Sequence, residues 1–150
     1  MMGRVDDIAG SEKDPMLIYV GYATGGLWKS TDGGNHWKSV FDEMAYTSVG
    51  AVAVAPSDPN VVYAGMGEAN NRQSSSIGDG VWGTTDGGKT WKHLGLDDTQ
   101  SIARIAVDPT NPNVVYVAAL GHLFGPNPDR GLYKTADGGK TWKKAKYIDA

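Results

Sequence analysis

Thr84-Thr85-Asp86-Gly87-Gly88-Lys89-Thr90-Trp91 decides the fold, because the chain repeats it twice. The copies are Ser30-Thr31-Asp32-Gly33-Gly34-Asn35-His36-Trp37 and Thr135-Ala136-Asp137-Gly138-Gly139-Lys140-Thr141-Trp142. Their aspartates stand 54 and 51 residues apart. A period near fifty residues marks a repeat architecture, in which one unit cannot bury its apolar face without a neighbour.

Working outward, each copy sits in the same setting. Leu17-Ile18-Tyr19-Val20-Gly21 matches Val61-Val62-Tyr63-Ala64-Gly65 and Val114-Val115-Tyr116-Val117-Ala118. Before each lies a turn rich in Asp, Pro and Asn: Lys13-Asp14-Pro15, Pro56 to Asn60, and Asp108 to Asn113. Proline presets φ and Asx side chains bond their own backbone, so these segments separate strands. Ahead of the turns run Val5–Ala9, Val49–Ala55 and Ile102–Val107, rich in small and branched residues. A third strand enters each motif at Gly26–Ser30, Gly80–Thr84 and Gly131–Thr135, and a fourth leaves it at Trp37, Trp91 and Trp142. Four short strands per unit with no helical period predict an all-β chain, a β-propeller segment of three blades. The blades divide near 1–44, 45–97 and 98–150.

The motif reads as a folding device. An Asp in a tight turn accepts backbone N–H groups, the glycine pair supplies positive φ, and a hydroxyl closes the loop. The Trp then packs between sheets, its indole N–H in need of an acceptor. Asp32, Asp86 and Asp137 are also candidate metal ligands or catalytic carboxylates. Recurrence at one structural position favours the structural role for them and for Trp37, Trp91 and Trp142.

The pattern resembles the Asp-box, or BNR repeat, of sialidases, xyloglucanases, sortilin-type receptors and photosystem assembly factors. The resemblance covers essentially the whole chain; the first box departs at His36, where Thr is usual. Gly3 to Ala9, Gly67 to Arg72 and Gly121 to Asn127 look most like the N-terminal propeller of bacterial sortilin-like proteins. That family is usually extracytoplasmic and often carries the label "glycosyl hydrolase". The N-terminus here shows no signal-like apolar stretch, so the sequence leaves the compartment open.

Composition narrows the partners. The 150 residues carry a net charge of −3 and no run of Lys or Arg, which argues against nucleic acid and anionic membrane. Cysteine is absent, so disulfides and thiolate metal sites are excluded. No phosphate loop, nucleophile motif or cofactor fingerprint appears, and no cofactor or metal is expected.

Sites are sought where the repeats differ. From the shared tyrosine to the motif Asp the separations are 13, 23 and 21 residues, so blades two and three carry insertions on one face of the disc. Long loops on a rigid scaffold are where binding chemistry concentrates. Candidate binding residues there are Glu68, Asn71, Arg72, His122, Phe124 and Arg130. Such a face suits a glycan, through stacking and paired hydrogen bonds, or a peptide, through its charges; the other reading is solvated loops with Asx turns. Asp7 and Arg104 share one position on the first strands and are expected to face the central channel, with Asp6 or Arg4 near its mouth. Asp6 and Asp7 alternate faces and do not form a catalytic pair.

Catalysis finds less support. Four arginines, Arg4, Arg72, Arg104 and Arg130, are scattered over three blades rather than clustered as a sialidase requires. A xyloglucanase-type site would place an Asp just before the Gly-Gly opening the third strand of its first blade. This chain reads Tyr22-Ala23-Thr24-Gly25-Gly26. The expected function is a non-catalytic propeller segment, a scaffold or a protein-, peptide- or glycan-binding module. The alternative is part of a glycoside hydrolase with its site on the long-loop face. An isolated or engineered piece of a larger propeller also fits, since the chain starts at a first strand, ends after a fourth, and Met1-Met2-Gly3 resembles an added start. Three in-phase blades leave two apolar flats, so a homodimer closing a six-bladed ring is expected.

Overall fold

The computed structural model describes residues 3–70 and 74–147. Twelve strands form three four-stranded antiparallel sheets, each hydrogen-bonded in sequence order. The first holds β1 (Val5–Gly10), β2 (Ile18–Tyr22), β3 (Gly26–Ser30) and β4 (Lys38–Ser39). The second holds β5 (Val49–Ala55), β6 (Asp58–Met66), β7 (Val81–Thr84) and β8 (Lys92–His93). The third holds β9 (Ile102–Val107), β10 (Val115–Ala119), β11 (Gly131–Thr135) and β12 (Lys143–Tyr147). Among the described residues the only helical element is one 3-10 turn, Asp97–Thr99.

The middle turn is tighter than its composition suggests. Pro56 to Asn60 reads as one loop, yet Ala55 already pairs with Asp58 and β6 starts there. A bulge between Val54 and Ala55 absorbs the change of register, which leaves Pro56 and Ser57 alone to reverse the chain.

Two cores sit between the sheets. In one, Leu17, Tyr19, Leu27 and Phe41 of the first blade meet Val49, Val52, Val62 and Met66 of the second. In the other, Ala51, Val61, Tyr63 and Val81 of the second blade meet Ile102, Ile105, Val115 and Val117 of the third. Successive residues of a strand point to opposite faces, so β5 and β6 feed both cores and must be apolar almost throughout. The run Val49-Gly50-Ala51-Val52-Ala53-Val54-Ala55 meets that demand.

The blade interfaces repeat in outline, though the two tyrosines meet different turns of the next blade. The Tyr19 hydroxyl donates to the Gly87 carbonyl at 3.0 Å, and the Tyr63 hydroxyl donates to the Pro112 carbonyl at 2.9 Å, each reaching the next blade. Gly21 and Gly65 allow the close approach: a Cβ on Gly21 would lie 2.7 Å from Val49 Cγ1, and one on Gly65 would lie 2.3 Å from Ile102 Cγ2. At the two ends the pattern has no neighbour to act on. Val5 is 44% exposed, Ile8 61%, Met16 54% and Tyr116 37%. These are the flats of a blade stack.

Candidate functional site

The three box turns share one hydrogen-bond circuit. In the second, the Thr84 hydroxyl donates to Asp86 Oδ1 at 2.7 Å and accepts the Gly88 N–H at 3.0 Å. Asp86 Oδ1 also accepts the Thr90 N–H at 2.9 Å, and Oδ2 accepts the Thr90 hydroxyl. Thr135, Asp137 and Thr141 repeat every one of these bonds. In the first box the ring of His36 replaces the missing hydroxyl, with Nδ1 2.6 Å from Asp32 Oδ2. All three carboxylates are thus occupied by their own turns. The indole N–H of Trp142 donates to the Leu94 carbonyl at 2.8 Å, tying the third blade to the second.

Those bonds stabilise the carboxylate form. The His36 backbone N–H, the His36 ring and the Ser30 hydroxyl hold Asp32 down at about 2. The Thr90 and Thr141 hydroxyls, followed by the backbone N–H groups of the same residues, push Asp86 and Asp137 lower still. Folded values below the unfolded value mean that the contribution is complete above about pH 4 and is lost as pH falls through the folded values. Chemical denaturation should therefore show a plateau from neutral to about pH 4, then a decline. Stability that rises on acidification would contradict this. Asp86→Ala should lower Tm by more than Asp58→Ala, since Asp86 accepts two hydroxyls and two backbone N–H groups, while Asp58 accepts the Asn60 N–H of its own turn.

On the opposite edge of the sheets lie the long loops, and the predicted site residues have different fates there. Glu68 is fully buried, its carboxylate paired with the guanidinium of Arg4 from the first blade. Arg4 Nε also lies 3.3 Å from Asp6 Oδ1, so one cation stands between two carboxylates whose side chains are almost wholly buried. The Glu68 N–H donates to the Ser76 carbonyl and the Gly78 N–H to the Gln100 carbonyl, which pins the loop against the second and third blades.

The third-blade loop folds on itself. Arg130 Nε donates to the Leu120 carbonyl at 2.9 Å and its NH2 to the His122 carbonyl at 3.2 Å. Asn127, buried, donates to the same His122 carbonyl. Sequence reading missed Asn127 as a structural residue; its signal was the glycine at 121, since a Cβ there would lie 2.1 Å from Asn127 Oδ1. Phe124 at 80% exposure and the exposed His122 are what this loop presents to solvent. Asn71 and Arg72 lie outside the described residues.

The channel candidates part company. Asp7 Oδ2 accepts the Val52 N–H at 2.9 Å and Oδ1 the Ile8 N–H at 3.0 Å, so this carboxylate caps an edge donor of the second blade's innermost strand. Arg104 is exposed on β9. Among the described residues no group of three His, Cys, Asp or Glu is placed to hold a metal ion.

The model of the sortilin family (sortilin, neurotensin receptor 3), Sortilin-Vps10, matches residues 25–148. The chain belongs to the Sortilin-Vps10 family. Its Asp-box propeller segment is also 30% identical to a xyloglucanase of Hypocrea jecorina, over 99% of this chain and 18% of that protein. The chain therefore spans under a fifth of that curated relative. Among solved structures, an ancestral GH74 enzyme superposes with a TM-score of 0.78 at 25% identity, over 97% of this chain and 19% of that one. YCF48 bound to a D1 peptide superposes with a TM-score of 0.64 at 20% identity, over 95% of this chain and 39% of that one, a likeness of fold. Propellers resembling this Sortilin-Vps10 segment thus include enzymes named for a glycan and a protein solved with a peptide.

Proposed function

We propose that the chain is a non-catalytic propeller segment that acts by binding a glycan or peptide on its long-loop face. The observation that carries this reading is the division of labour among carboxylates. Asp32, Asp86, Asp137, Asp7 and Glu68 are all engaged in turns, strand edges or the Arg4 pair. Of the predicted site residues, His122 and Phe124 remain for contact on that face, with Asn71 and Arg72 as further candidates. An imidazole and an aromatic ring exposed on a propeller loop suit recognition rather than bond cleavage.

The test is a glycan array and a peptide array probed with the purified chain, then with His122→Ala and Phe124→Ala. Both variants are expected to melt as the parent does and to lose binding by about tenfold. Retained binding in both would remove this face as the site. The second reading, a piece of a glycoside hydrolase, is favoured by the xyloglucanase likeness over nearly the whole chain.

A homodimer closing a six-bladed ring is the proposed partner arrangement, supported by the two exposed flats. Ala118 stands where Gly21 and Gly65 admit Val49 and Ile102, and Val5 occupies the matching first-strand position. The joint from third to first blade is therefore the loosest of the ring. Light scattering should show a dimer that Ala118→Gly tightens; a monomer at micromolar concentration for both chains would contradict the ring.

A further inference from the structure

The box face carries a second feature that the long-loop reading does not use. Between the first and second blades lies a cleft of about 780 Å³, bordered by Lys29, Lys38 and Lys89 together with Trp37 and Trp91. Lys29 is half-buried, donates to the Gly87 carbonyl at 2.7 Å, and lies 5.6 Å from the Tyr19 ring centroid. Burial lowers its pKa first and the Lys89 ammonium lowers it further; Asp86 opposes them, and Lys38 adds a smaller push downward. Three cations thus border one cleft, Lys29 and Lys38 from the first blade and Lys89 from the second. The Trp91 indole N–H is buried and makes no hydrogen bond, whereas its counterpart in the next blade, Trp142, is satisfied by the Leu94 carbonyl.

The molecule supplies its own comparison. The sister cleft between the second and third blades has Lys92 and Lys140 at the positions of Lys38 and Lys89, but Gly83 where the first has Lys29, and the carboxylate of Asp137 on its wall. Everything that repeats is explained by folding. The third ammonium does not repeat, and Trp91, which borders both clefts, has a buried indole N–H without an acceptor.

We propose that the cleft between the first and second blades binds an acidic glycan, its carboxylates set among Lys29, Lys38 and Lys89. The lysines favour anions, while Asp42 and Glu43 on the same cleft disfavour an acidic peptide. Sugar hydroxyls resolve that conflict, because they donate to carboxylates as readily as they accept from ammonium groups. The hydroxyls of Thr31, Ser39 and Thr90 add further polar contacts along the walls. An oxygen of the same ligand would satisfy the Trp91 N–H, removing the cost of a buried donor without a partner. This site is separate from the long-loop face, so failure of one leaves the other standing.

Calorimetric titration of the full chain with short oligogalacturonate tests it, beside a neutral xylogluco-oligosaccharide and polyglutamate. Oligogalacturonate is expected to bind, and Lys38→Gln and Lys89→Gln each to weaken it about tenfold, the loss of one charge-assisted bond. Both side chains are exposed, so the fold is retained. Lys92→Gln and Lys140→Gln, in the sister cleft, are expected to change nothing. Absence of binding, equal binding of polyglutamate or of the neutral sugar, or equal losses in the sister-cleft variants would each overturn the proposal.

Discussion

Phe41→Ala is expected to cost about 3–5 kcal/mol of unfolding free energy, the range for emptying a phenylalanine site in a packed core. Phe41 is 1% exposed and follows the first blade's last strand. Its ring meets Trp82 edge-on at 5.9 Å and Trp91 edge-on at 5.1 Å, both from the second blade. The substitution would remove the transfer free energy of the ring and both aromatic contacts across the blade interface. A chain of this size has about 5–15 kcal/mol in total, so the variant should be partly unfolded at moderate denaturant. Urea denaturation measures it; a loss below about 1 kcal/mol would mean that the blades do not dock through this ring.

Arg4→Met is expected to cost about 3 kcal/mol, and more than Glu68→Gln. The two partners differ in exposure: the Arg4 side chain is 41% accessible and that of Glu68 is wholly buried. Removing the cation takes the Arg4 charge away from a buried carboxylate, and Asp6 loses the same partner. Removing the Glu68 charge leaves an amide oxygen to accept from Arg4, and the half-exposed guanidinium stays hydrated. Thermal melts of the two variants rank them. Glu68→Gln as the more damaging change would show that the carboxylate is held chiefly by other groups.

The pair also shows where sequence reading stops. Strand positions were legible because alternation and turn chemistry are local, and the boxes announced their own hydrogen bonds through the spacing of Thr, Asp and Gly. The third-strand starts at Gly26 and Gly131 follow from them, while β7 opens at Val81, one residue after the expected Gly80. A charged residue in an insertion ordinarily faces solvent, whereas Glu68 is fully buried. Its burial depends on Arg4, 64 residues earlier, which no local pattern encodes. Arg130 likewise turns inward to carbonyls of its own loop. Asp7 illustrates a finer limit: its strand was placed correctly, but its bond to Val52 depends on how closely two blades approach. Local periodicity gives strands, while pairing across blades is set by tertiary geometry.

The proposal of a non-catalytic segment rests on the same carboxylates. Fold likeness carries no activity by itself, and Asp7, Asp32, Asp86, Asp137 and Glu68 are each engaged in a folding contact. Release of reducing ends from xyloglucan by the purified chain tests that account most directly. The expected result is no release above the buffer control, with glycan or peptide binding retained. Release that disappears in Asp6→Asn or Glu68→Gln, in protein that still melts as the parent does, would contradict it and make the Arg4-bridged carboxylates catalytic.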